Sequence, residues 1–358
     1  MTGRPRFSIG ITTFRRLSML RECVESVLRQ SCGDFEILIG NDAQDDSITP
    51  ERLGIDDPRI RIINHPVNLG ELANLNALLQ ASRGTYFTWQ ADDDFYAPNY
   101  LEDVAAALEA EPSAGAVLVG YAVLRSRTIP AGLLETRASP RPVRVYDGAG
   151  LLRDYWRGRV RTMALVGVFQ ADMLRRIGGL HGLSDSSIAV MSEYYLLLQV
   201  ATECRRIVYA PSPLVYYRAH EASWSTSSRQ ADLVERAGVN LIRDGAALLR
   251  ARLERDPEAH VAALMRLVLS SASRVLAREA GGFPMGHGMR YLRTCLRAGR
   301  ANPARRSSRW RAIGVVGRYC FGILPSAIVI AIAPASLRRL MIKLRDRGTG
   351  VAVAASGG

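Results

Sequence analysis

The chain has 358 residues, 48% hydrophobic and 23% charged, which is a globular composition with enough length for a large core. Its five cysteines show neither a Cys-x-x-Cys pair nor a Cys/His spacing typical of zinc, which argues against a zinc site and favours reduced thiols. Six residues precede the first predicted strand, too few for a signal peptide, so we expect a cytoplasmic protein. The formal net charge of +13, carried almost entirely by arginine, suits an anionic partner, either nucleic acid or a membrane surface.

The first third of the chain alternates between strand and helix patterns. Short apolar or β-branched runs predict buried strands, and apolar residues spaced by three or four positions predict helices. The predicted strands are residues 7–13, 35–40, 59–64, 85–90 and 116–124, and the predicted helices are residues 17–30, 71–82 and 98–110. This alternation predicts βαβ units, and therefore an α/β fold with a mainly parallel sheet covered by helices on both faces.

Polar residues end three of these strands, namely Thr12-Thr13, Asn41-Asp42 and the run Asp92-Asp93-Asp94. The carboxyl ends of parallel strands meet at one edge, where open α/β sheets bind ligands, so we expect a nucleotide-sized crevice there. No Gly-x-Gly-x-x-Gly follows the first strand, which disfavours a dinucleotide site. The absence of Gly-x-x-x-x-Gly-Lys-Ser/Thr excludes a P-loop, so a metal ion and side chains must handle the phosphates.

The acidic run at residues 92–94 is the most unusual of these strand ends. Three adjacent carboxylates repel one another and are costly unless they are solvated or paired with a cation. A divalent cation, Mn²⁺ or Mg²⁺, is one explanation, because both ions prefer carboxylate oxygens. The alternative is an acidic surface turn that caps a helix beginning at Pro98.

Three segments in this region resemble the motifs of family 2 glycosyltransferases. They are residues 12–15 with the helix after them, residues 34–42, and the stretch from Asn68-Leu69-Gly70 to the acidic run. The resemblance implies a GT-A fold and an inverting, metal-dependent glycosyltransferase of hexosyltransferase type. Such an enzyme moves a sugar from a nucleoside diphosphate donor to a glycan, lipid-linked or other hydroxyl acceptor.

The same resemblance assigns roles to individual residues. It implies that the donor is contacted by Thr12, Thr13, Phe14, Arg15, Asp42, Asn76, Asp92, Asp93 and Arg218. It implies metal ligation by Asp94 as the first choice, together with Asp92 and His220. The family's usual pattern at the acidic run is Asp-x-Asp-Asp, and Ala91 stands at its first position here, so the identity of the metal-binding carboxylate stays open.

Residues 192–201 predict a helix that resembles the Glu-Asp-x-x-Leu helix of the family, with Ser192 at the Glu position and Glu193 at the Asp position. The resemblance implies that Glu193 is the catalytic base. On the residues alone, the alternative is an exposed acid in a first helical turn, where the helix dipole favours negative charge.

Residues 208–218 predict a pair of strands ending in Arg218-Ala219-His220, which resembles the Tyr-Arg-x-His motif of the family. A cation there could neutralise the diphosphate or complete the metal shell, or His220 could be a hydrogen-bonded structural residue. The preceding residues 125–165 show no clear period, and we interpret them as a surface loop that also covers the acceptor site.

The last third of the chain predicts long amphipathic helices at residues 231–255 and 258–280 that pack on the catalytic domain. Residues 313–337 form an apolar run interrupted by Pro325 and Pro334 and flanked by arginines. This pattern favours an anchor on the anionic inner face of the cell membrane over a buried helix with a basic tail or a single span. We thus predict a catalytic domain at 1–225, with a nucleotide half at 1–125 and an acceptor half at 126–225, and a helical region at 226–358.

The predicted function is sugar transfer in the synthesis of cell-envelope or other polysaccharides and glycoconjugates, without a nucleic acid partner. A nucleotidyltransferase is one alternative, although residues 12–16 lack the glycine typical of its first loop. A non-catalytic nucleotide-sugar-binding protein at the membrane surface is another, because Ala91 and Ser192 depart from the family pattern.

Overall fold

The computed structural model describes residues 3–220 and 231–280, together with positions 293, 294 and 297. The strands are β1 Phe7–Thr13, β2 Phe35–Asn41, β3 Ile60–Asn64, β4 Tyr86–Ala91, β5 Phe95–Tyr96, β6 Ala114–Leu124, β7 Arg144–Tyr146, β8 Val168–Gln170 and β9 Arg206–Arg218. The helices are α1 Leu17–Leu28, α2 Pro50–Leu53, α3 Glu71–Ala81, α4 Tyr100–Ala110, α5 Gly148–Trp156, α6 Ala171–Arg176, α7 Ser192–Glu203, α8 Ala231–Arg252 and α9 Pro257–Ala280.

All of these strands belong to one sheet in the order β3-β2-β1-β4-β8-β6-β9-β5, and β7 pairs with β9. Strands β3, β2, β1 and β4 run parallel, whereas β8 is antiparallel to both of its neighbours. In register, Thr12 lies opposite Gly40 on β2 and Ala91 on β4, so the carboxyl ends of the three strands are level. The predicted α/β class and the shared sheet edge are therefore confirmed.

Helices cover both faces of the sheet and enclose two apolar cores. One core joins Val24 of α1 and Val104 of α4 to strand residues such as Ile9. The other joins Trp89 of β4 to side chains of α3, α5 and α7, and it extends to Leu241 of α8 and other residues of α8 and α9. Each fully buried aliphatic side chain contributes about 1.5–3 kcal/mol of hydrophobic stabilisation. Helices α8 and α9 therefore share a core with the sheet, as the amphipathic pattern predicted.

The prediction of two strands at residues 208–218 was wrong, because β9 runs unbroken through Pro211 and Pro213. Its pairing with β6 shifts register on both sides of Gly120. A Cβ atom on Gly120 would lie 2.6 Å from the carbonyl oxygen of Pro211, so only glycine fits this approach. The irregularity accommodates prolines that cannot donate ladder hydrogen bonds.

Two further differences concern segments beside the predicted site. The acidic run is followed by the short strand β5, and helix α4 begins at Tyr100 rather than at Pro98. Within residues 125–165, strand β7 and helix α5 were not predicted. Strand β7 lies on one edge of β9, and Asp147 caps α5 by accepting a hydrogen bond from the amide of Gly150 at 2.7 Å. This segment is therefore partly built into the sheet.

Across the part of the chain that the structure describes, no helix combines the length and the apolar character needed to span a membrane. The membrane anchor predicted at residues 313–337 lies outside the described residues.

Candidate functional site

The three predicted strand ends meet through direct hydrogen bonds. The Thr13 hydroxyl donates to Asp92 Oδ2 at 2.7 Å, which joins the end of β1 to the acidic run after β4. The amide of Asp42 donates to the carbonyl oxygen of Thr13 at 3.0 Å, which joins the end of β2 to β1. Thr13, Asp42 and Asp92 are all buried. The structure therefore brings together residues that are far apart in the sequence, as the parallel arrangement requires.

Nitrogen atoms of Arg16 and His220 contact the acidic run, which we call the acidic tip (Asp92, Asp93 and Asp94). Arg16 Nη1 lies 3.1 Å from Asp92 Oδ1 and 3.0 Å from Asp93 Oδ2, so one nitrogen contacts two carboxylates. His220 Nε2 lies 3.2 Å from the same Asp93 oxygen. His220 was predicted beside the tip, whereas Arg16 was not among the predicted site residues.

Arg218 supports the acidic tip from inside the protein. Its backbone amide donates to Asp94 Oδ1 at 2.8 Å, and its guanidinium donates to the Asp93 carbonyl oxygen. The guanidinium also forms an ion pair with Glu22 of α1 and donates to the carbonyl oxygen of Arg127 at 3.2 Å. The Arg218 side chain is 0% exposed and holds the tip through these contacts, and its predicted contact with the donor stays a prediction.

Burial makes the charged form of the acidic tip costly. It raises the pKa of Asp92 to about 6, although the neighbouring Arg16 and Thr13 act in the opposite direction. Burial, followed by the charge of Asp93, raises the pKa of Asp94 well above its usual range. Carboxylates in this state gain most from an additional cation, because it stabilises the charged forms that desolvation disfavours.

The chemistry of the tip fits a divalent metal. The carboxylates of Asp92, Asp93 and Asp94 supply hard oxygens, and His220 supplies an imidazole nitrogen, both of which suit Mn²⁺. Within residues 3–220 and 231–280, however, no three His, Cys, Asp or Glu side chains are already grouped for a metal ion. Arg16 stands between two of the carboxylates instead.

The carboxylate of Asp42 shapes the turn that precedes α3. Its two oxygens accept hydrogen bonds from the amides of Leu69 at 2.7 Å and Gly70 at 2.8 Å, and its carbonyl oxygen accepts one from the Asn68 side chain at 3.2 Å. Gly70 has a φ of +79°, and a Cβ there would lie 2.2 Å from the Cβ of Ser187. The turn that resembles a family motif therefore needs glycine for both conformation and space.

This turn is linked to the segment that leads into α7. The amide of Leu72 donates to the Ser187 carbonyl oxygen at 2.9 Å. The amide of Ala189 donates to Glu71 Oε2 at 3.0 Å. Helix α7, which carries Glu193, begins three residues after Ala189. The turn held by Asp42 is thus linked by hydrogen bonds to the segment that leads into α7.

Glu193 lies in the first turn of α7, as predicted. No ion pair or side-chain hydrogen bond of Glu193 is found among the residues that the structure describes. Burial alone raises the pKa of Glu193 to about 7. Burial also raises the pKa of Tyr155, and the charges of Tyr194 and Glu193 add to that rise. The Glu193 carboxyl group is therefore near tyrosines rather than cations, unlike the carboxyl groups of the acidic tip.

The remaining residues of the first motif lie at the open side of the same sheet edge. Thr12 is half-buried at the end of β1, and Phe14 is 49% exposed. The Arg15 guanidinium lies 5.5 Å from the centroid of the Phe14 ring, and Arg15 Nη2 pairs with Asp45 at 2.6 Å. An exposed aromatic ring beside a cation is available to stack on a flat, anionic ligand.

Asn76 contacts neither the acidic tip nor the turn held by Asp42 through its side-chain hydrogen bonds. Its side-chain amide donates to the Leu180 carbonyl oxygen and accepts from the Leu180 amide, both at 2.9 Å. A Cβ on Gly179, which has a φ of +69°, would lie 2.4 Å from the Asn76 side-chain oxygen. Asn76 therefore holds the turn after α6, and its predicted contact with the donor stays a prediction.

Comparison with known proteins supports the fold of the chain and a family resemblance for its first part. The fold resembles that of S. aureus TarS 1–349 in complex with UDP-GlcNAc, with a TM-score of 0.53, 14% identity, and coverage of 96% of this chain and 88% of that one. This likeness shows a GT-A fold. Residues 8–153 match the family model for "Glycosyl transferase family 2", so this part of the chain is similar to that family.

Two relatives named as glycosyltransferases match part of this chain. The uncharacterized glycosyltransferase YwdF of Bacillus subtilis (strain 168) is 35% identical over 104 residues, which are 29% of this chain and 38% of that protein. The putative colanic acid biosynthesis glycosyl transferase WcaA of Escherichia coli (strain K12) is 33% identical over 106 residues, or 28% of this chain and 37% of that protein. The match thus spans less than two fifths of the length of either relative.

Proposed function

We propose that the protein is an inverting glycosyltransferase that moves a sugar from a nucleoside diphosphate donor to an acceptor hydroxyl. The observation that carries this proposal is the convergence of Thr13, Asp42 and the acidic tip at the carboxyl edge of a GT-A sheet. The name of the E. coli relative refers to colanic acid biosynthesis, which supports a role in polysaccharide or glycoconjugate synthesis. The acceptor in this proposal is a glycan, a lipid-linked sugar or another hydroxyl compound.

The donor nucleotide is proposed to lie along the strand ends, between Asp42 and the exposed Phe14. The S. aureus protein of similar fold was solved with UDP-GlcNAc, which supports a nucleotide-sugar ligand for this fold. Asp42 already accepts two backbone hydrogen bonds, but a carboxylate has about four lone-pair positions, so it can accept another from a base or ribose. Thr12, at the end of β1, and Arg15, two residues after that strand, are proposed to contact the donor as well.

A divalent cation, Mn²⁺ or Mg²⁺, is proposed at the acidic tip, where it would neutralise charge on the leaving diphosphate. Asp92, Asp93 and His220 are the proposed ligands, with Asp94 beside them. The sequence favoured Asp94 as the first ligand, but one of its oxygens holds the backbone amide of Arg218. Asp93 is preferred because its Oδ2 atom lies 3.2 Å from His220 Nε2.

Glu193 is proposed as the catalytic base. As the acceptor oxygen bonds to the anomeric carbon and the bond to the diphosphate breaks on the opposite face, Glu193 takes the hydroxyl proton. A pKa near 7 suits this role, because the carboxylate is present at neutral pH and is still basic enough to accept a proton. Helices α8 and α9 share a core with α7, so we propose that the helical region at 226–358 supports the catalytic domain at 1–225.

The experiment is to incubate the full chain with a panel of nucleotide-sugars, with and without Mn²⁺, and to quantify nucleoside diphosphate and pyrophosphate by chromatography. A glycosyltransferase releases nucleoside diphosphate from one donor, by transfer or slow hydrolysis. Pyrophosphate would instead indicate the nucleotidyltransferase alternative. Binding of a donor with no turnover in the presence of candidate acceptors would indicate a non-catalytic nucleotide-sugar-binding protein.

Peripheral contact with an anionic membrane remains a proposal based on the basic segments after residue 290.

A further inference from the structure

Arg16 is the charged residue at the candidate site that the proposed function leaves without a role. It follows the motif residues 12–15 and stands at the N-terminal boundary of α1. Arg15, which precedes it, has a φ of +55°, a left-handed conformation that redirects the chain between β1 and α1. The two neighbouring arginines thus reach different partners, because Arg15 pairs with Asp45 and Arg16 turns to the acidic tip.

The contact between Arg16 and the tip is a bridge made by one atom. Nη1 alone lies within 3.1 Å of Asp92 Oδ1 and Asp93 Oδ2. The Arg16 side chain is 36% exposed, whereas those of Asp92 and Asp93 are 6% and 13% exposed. The guanidinium therefore covers two buried carboxylates from the solvent side. A guanidinium has five N–H donors, and the contacts of Arg16 seen in residues 3–220 and 231–280 use only Nη1.

We propose that Arg16 is an internal counter-ion that competes with the divalent cation for the acidic tip. This inference rests on the proposed function and adds a step to it. In the ligand-free protein, the guanidinium offsets the repulsion between Asp92 and Asp93. When a divalent cation binds these carboxylates, Arg16 is released, and its planar guanidinium faces the diphosphate of an incoming donor.

Two properties follow from this exchange. The cation alone binds weakly, because it must displace a charge that already pairs with two carboxylates. The cation and a nucleoside diphosphate bind together more strongly than either binds alone, because the diphosphate provides a new partner for the displaced guanidinium. Such mutual strengthening is reciprocal by linkage, so each ligand must raise the affinity of the other by the same factor.

The test measures Mn²⁺ binding to the full chain by the electron paramagnetic resonance signal of free Mn²⁺, without nucleotide. The proteins are the wild type, Arg16→Gln, Arg16→Lys and the matched control Arg29→Gln. Arg29 lies just after the other end of α1 and pairs with Glu135 at the surface, so its replacement removes the same charge without touching the tip. Thermal unfolding of each variant checks that it is folded.

We expect Arg16→Gln to bind Mn²⁺ about three- to tenfold more tightly than the wild type, since partly exposed ion pairs contribute modestly. Arg16→Lys, which keeps a charge, should lie between them, and Arg29→Gln should match the wild type. In a second titration, UDP or GDP should tighten Mn²⁺ binding more in the wild type than in Arg16→Gln.

The inference is overturned if Arg16→Gln binds Mn²⁺ as the wild type does, or more weakly. If Mn²⁺ then still supports donor turnover in the wild type, the proposed function stands and only the exchange fails. If no variant binds Mn²⁺, the exchange and the metal assignment fail together, and release of nucleoside diphosphate without metal decides the function separately.

Discussion

Two acidic regions of this protein use the same functional group in opposite surroundings. At the acidic tip, three adjacent carboxylates are contacted by Arg16, Arg218 and His220. In the first turn of α7, by contrast, Glu193 is near Tyr155, and burial alone accounts for its raised pKa. One region combines several negative charges with cations, and the other isolates one carboxyl group from charge.

This difference separates two chemical tasks. A group of carboxylates that already pairs with cations is suited to exchange one cation for another. An isolated carboxyl group with a pKa near neutrality changes protonation easily, which suits proton transfer. The comparison therefore predicts that damage to the two regions has different consequences for binding and for turnover.

The largest effect is expected for Glu193→Gln. This change keeps the size of the side chain but removes its ability to accept a proton, so turnover should fall by about 10²- to 10⁴-fold. Donor affinity should remain within about twofold, because the acidic tip and Asp42 are unchanged. Steady-state kinetics and a separate donor-binding titration measure the two quantities.

A matched control for this variant is Glu203→Gln, in the last turn of the same helix. Glu203 forms an ion pair with Arg252 of α8 at 2.9 Å, away from the first turn of α7. Its replacement should leave turnover unchanged. Full activity of Glu193→Gln would show that Glu193 is not the base, and the proposed difference in task between the acidic tip and Glu193 would then be wrong.

The next effect concerns Asp93→Asn in the acidic tip. Loss of this charge should weaken Mn²⁺ binding about 10- to 100-fold, since a metal site loses affinity steeply when a carboxylate is removed. Donor binding in the presence of Mn²⁺ should weaken as well, whereas Asp172→Asn, at an exposed position in α6, should change neither quantity. Isothermal titration calorimetry measures both affinities. Unchanged affinities in Asp93→Asn would mean that the cation binds elsewhere.

A third prediction concerns pH. The base must be deprotonated to act, so kcat/KM should rise about tenfold per pH unit below pH 7 and level off above it, and Glu193→Gln should lose this dependence.

The stability of the protein should change with pH in the opposite direction, and fall as pH rises. Because folding raises the pKa of Glu193 above its ordinary value of 4.5, its contribution to stability is complete below pH 4.5 and is lost as pH rises through about 7. The Tm of the wild type should thus fall more between pH 5 and pH 8 than that of Glu193→Gln, and equal falls would contradict the raised pKa.

The smallest effect is expected for Asn76→Ala, which lies outside both acidic regions. Removal of the amide leaves the backbone of Leu180 without its two hydrogen bonds, which should cost about 1–3 kcal/mol of unfolding free energy. Donor affinity should not change, because the amide contacts the protein itself. Denaturant unfolding and donor titration check these two outcomes. A loss of donor affinity at unchanged stability would instead support the Asn76–donor contact predicted from the sequence.

The sheet edge could be predicted from the sequence because it depends on local patterns. The apolar runs that end at Thr13, Asp42 and Asp92 each predict a buried strand with a polar end, and parallel pairing places those ends together. The alternation of strands and helices in the first third, and helices α8 and α9, followed from the same kind of pattern, whereas α7 followed from the resemblance of residues 192–201 to a family helix.

Other features depend on contacts between distant residues and have no local signal. The role of Arg16 depends on the direction in which the left-handed conformation of Arg15 turns the chain. The buried position of Arg218, at the end of β9, depends on its ion pair with Glu22 of α1. Strand β7 is short, and its existence depends on an edge of β9 that accepts it. A second arginine directly after the motif residues 12–15 was the one available signal for Arg16.

The central claim is that the acidic tip and the ends of β1 and β2 together hold a nucleotide-sugar with a divalent cation. Isothermal titration calorimetry of the full chain with a panel of nucleotide-sugars, in Mn²⁺ and in chelator, tests it most directly. The account predicts saturable binding of one donor that is stronger in Mn²⁺ and is lost in Asp93→Asn. Folded protein that takes up no nucleotide-sugar in either condition would contradict it.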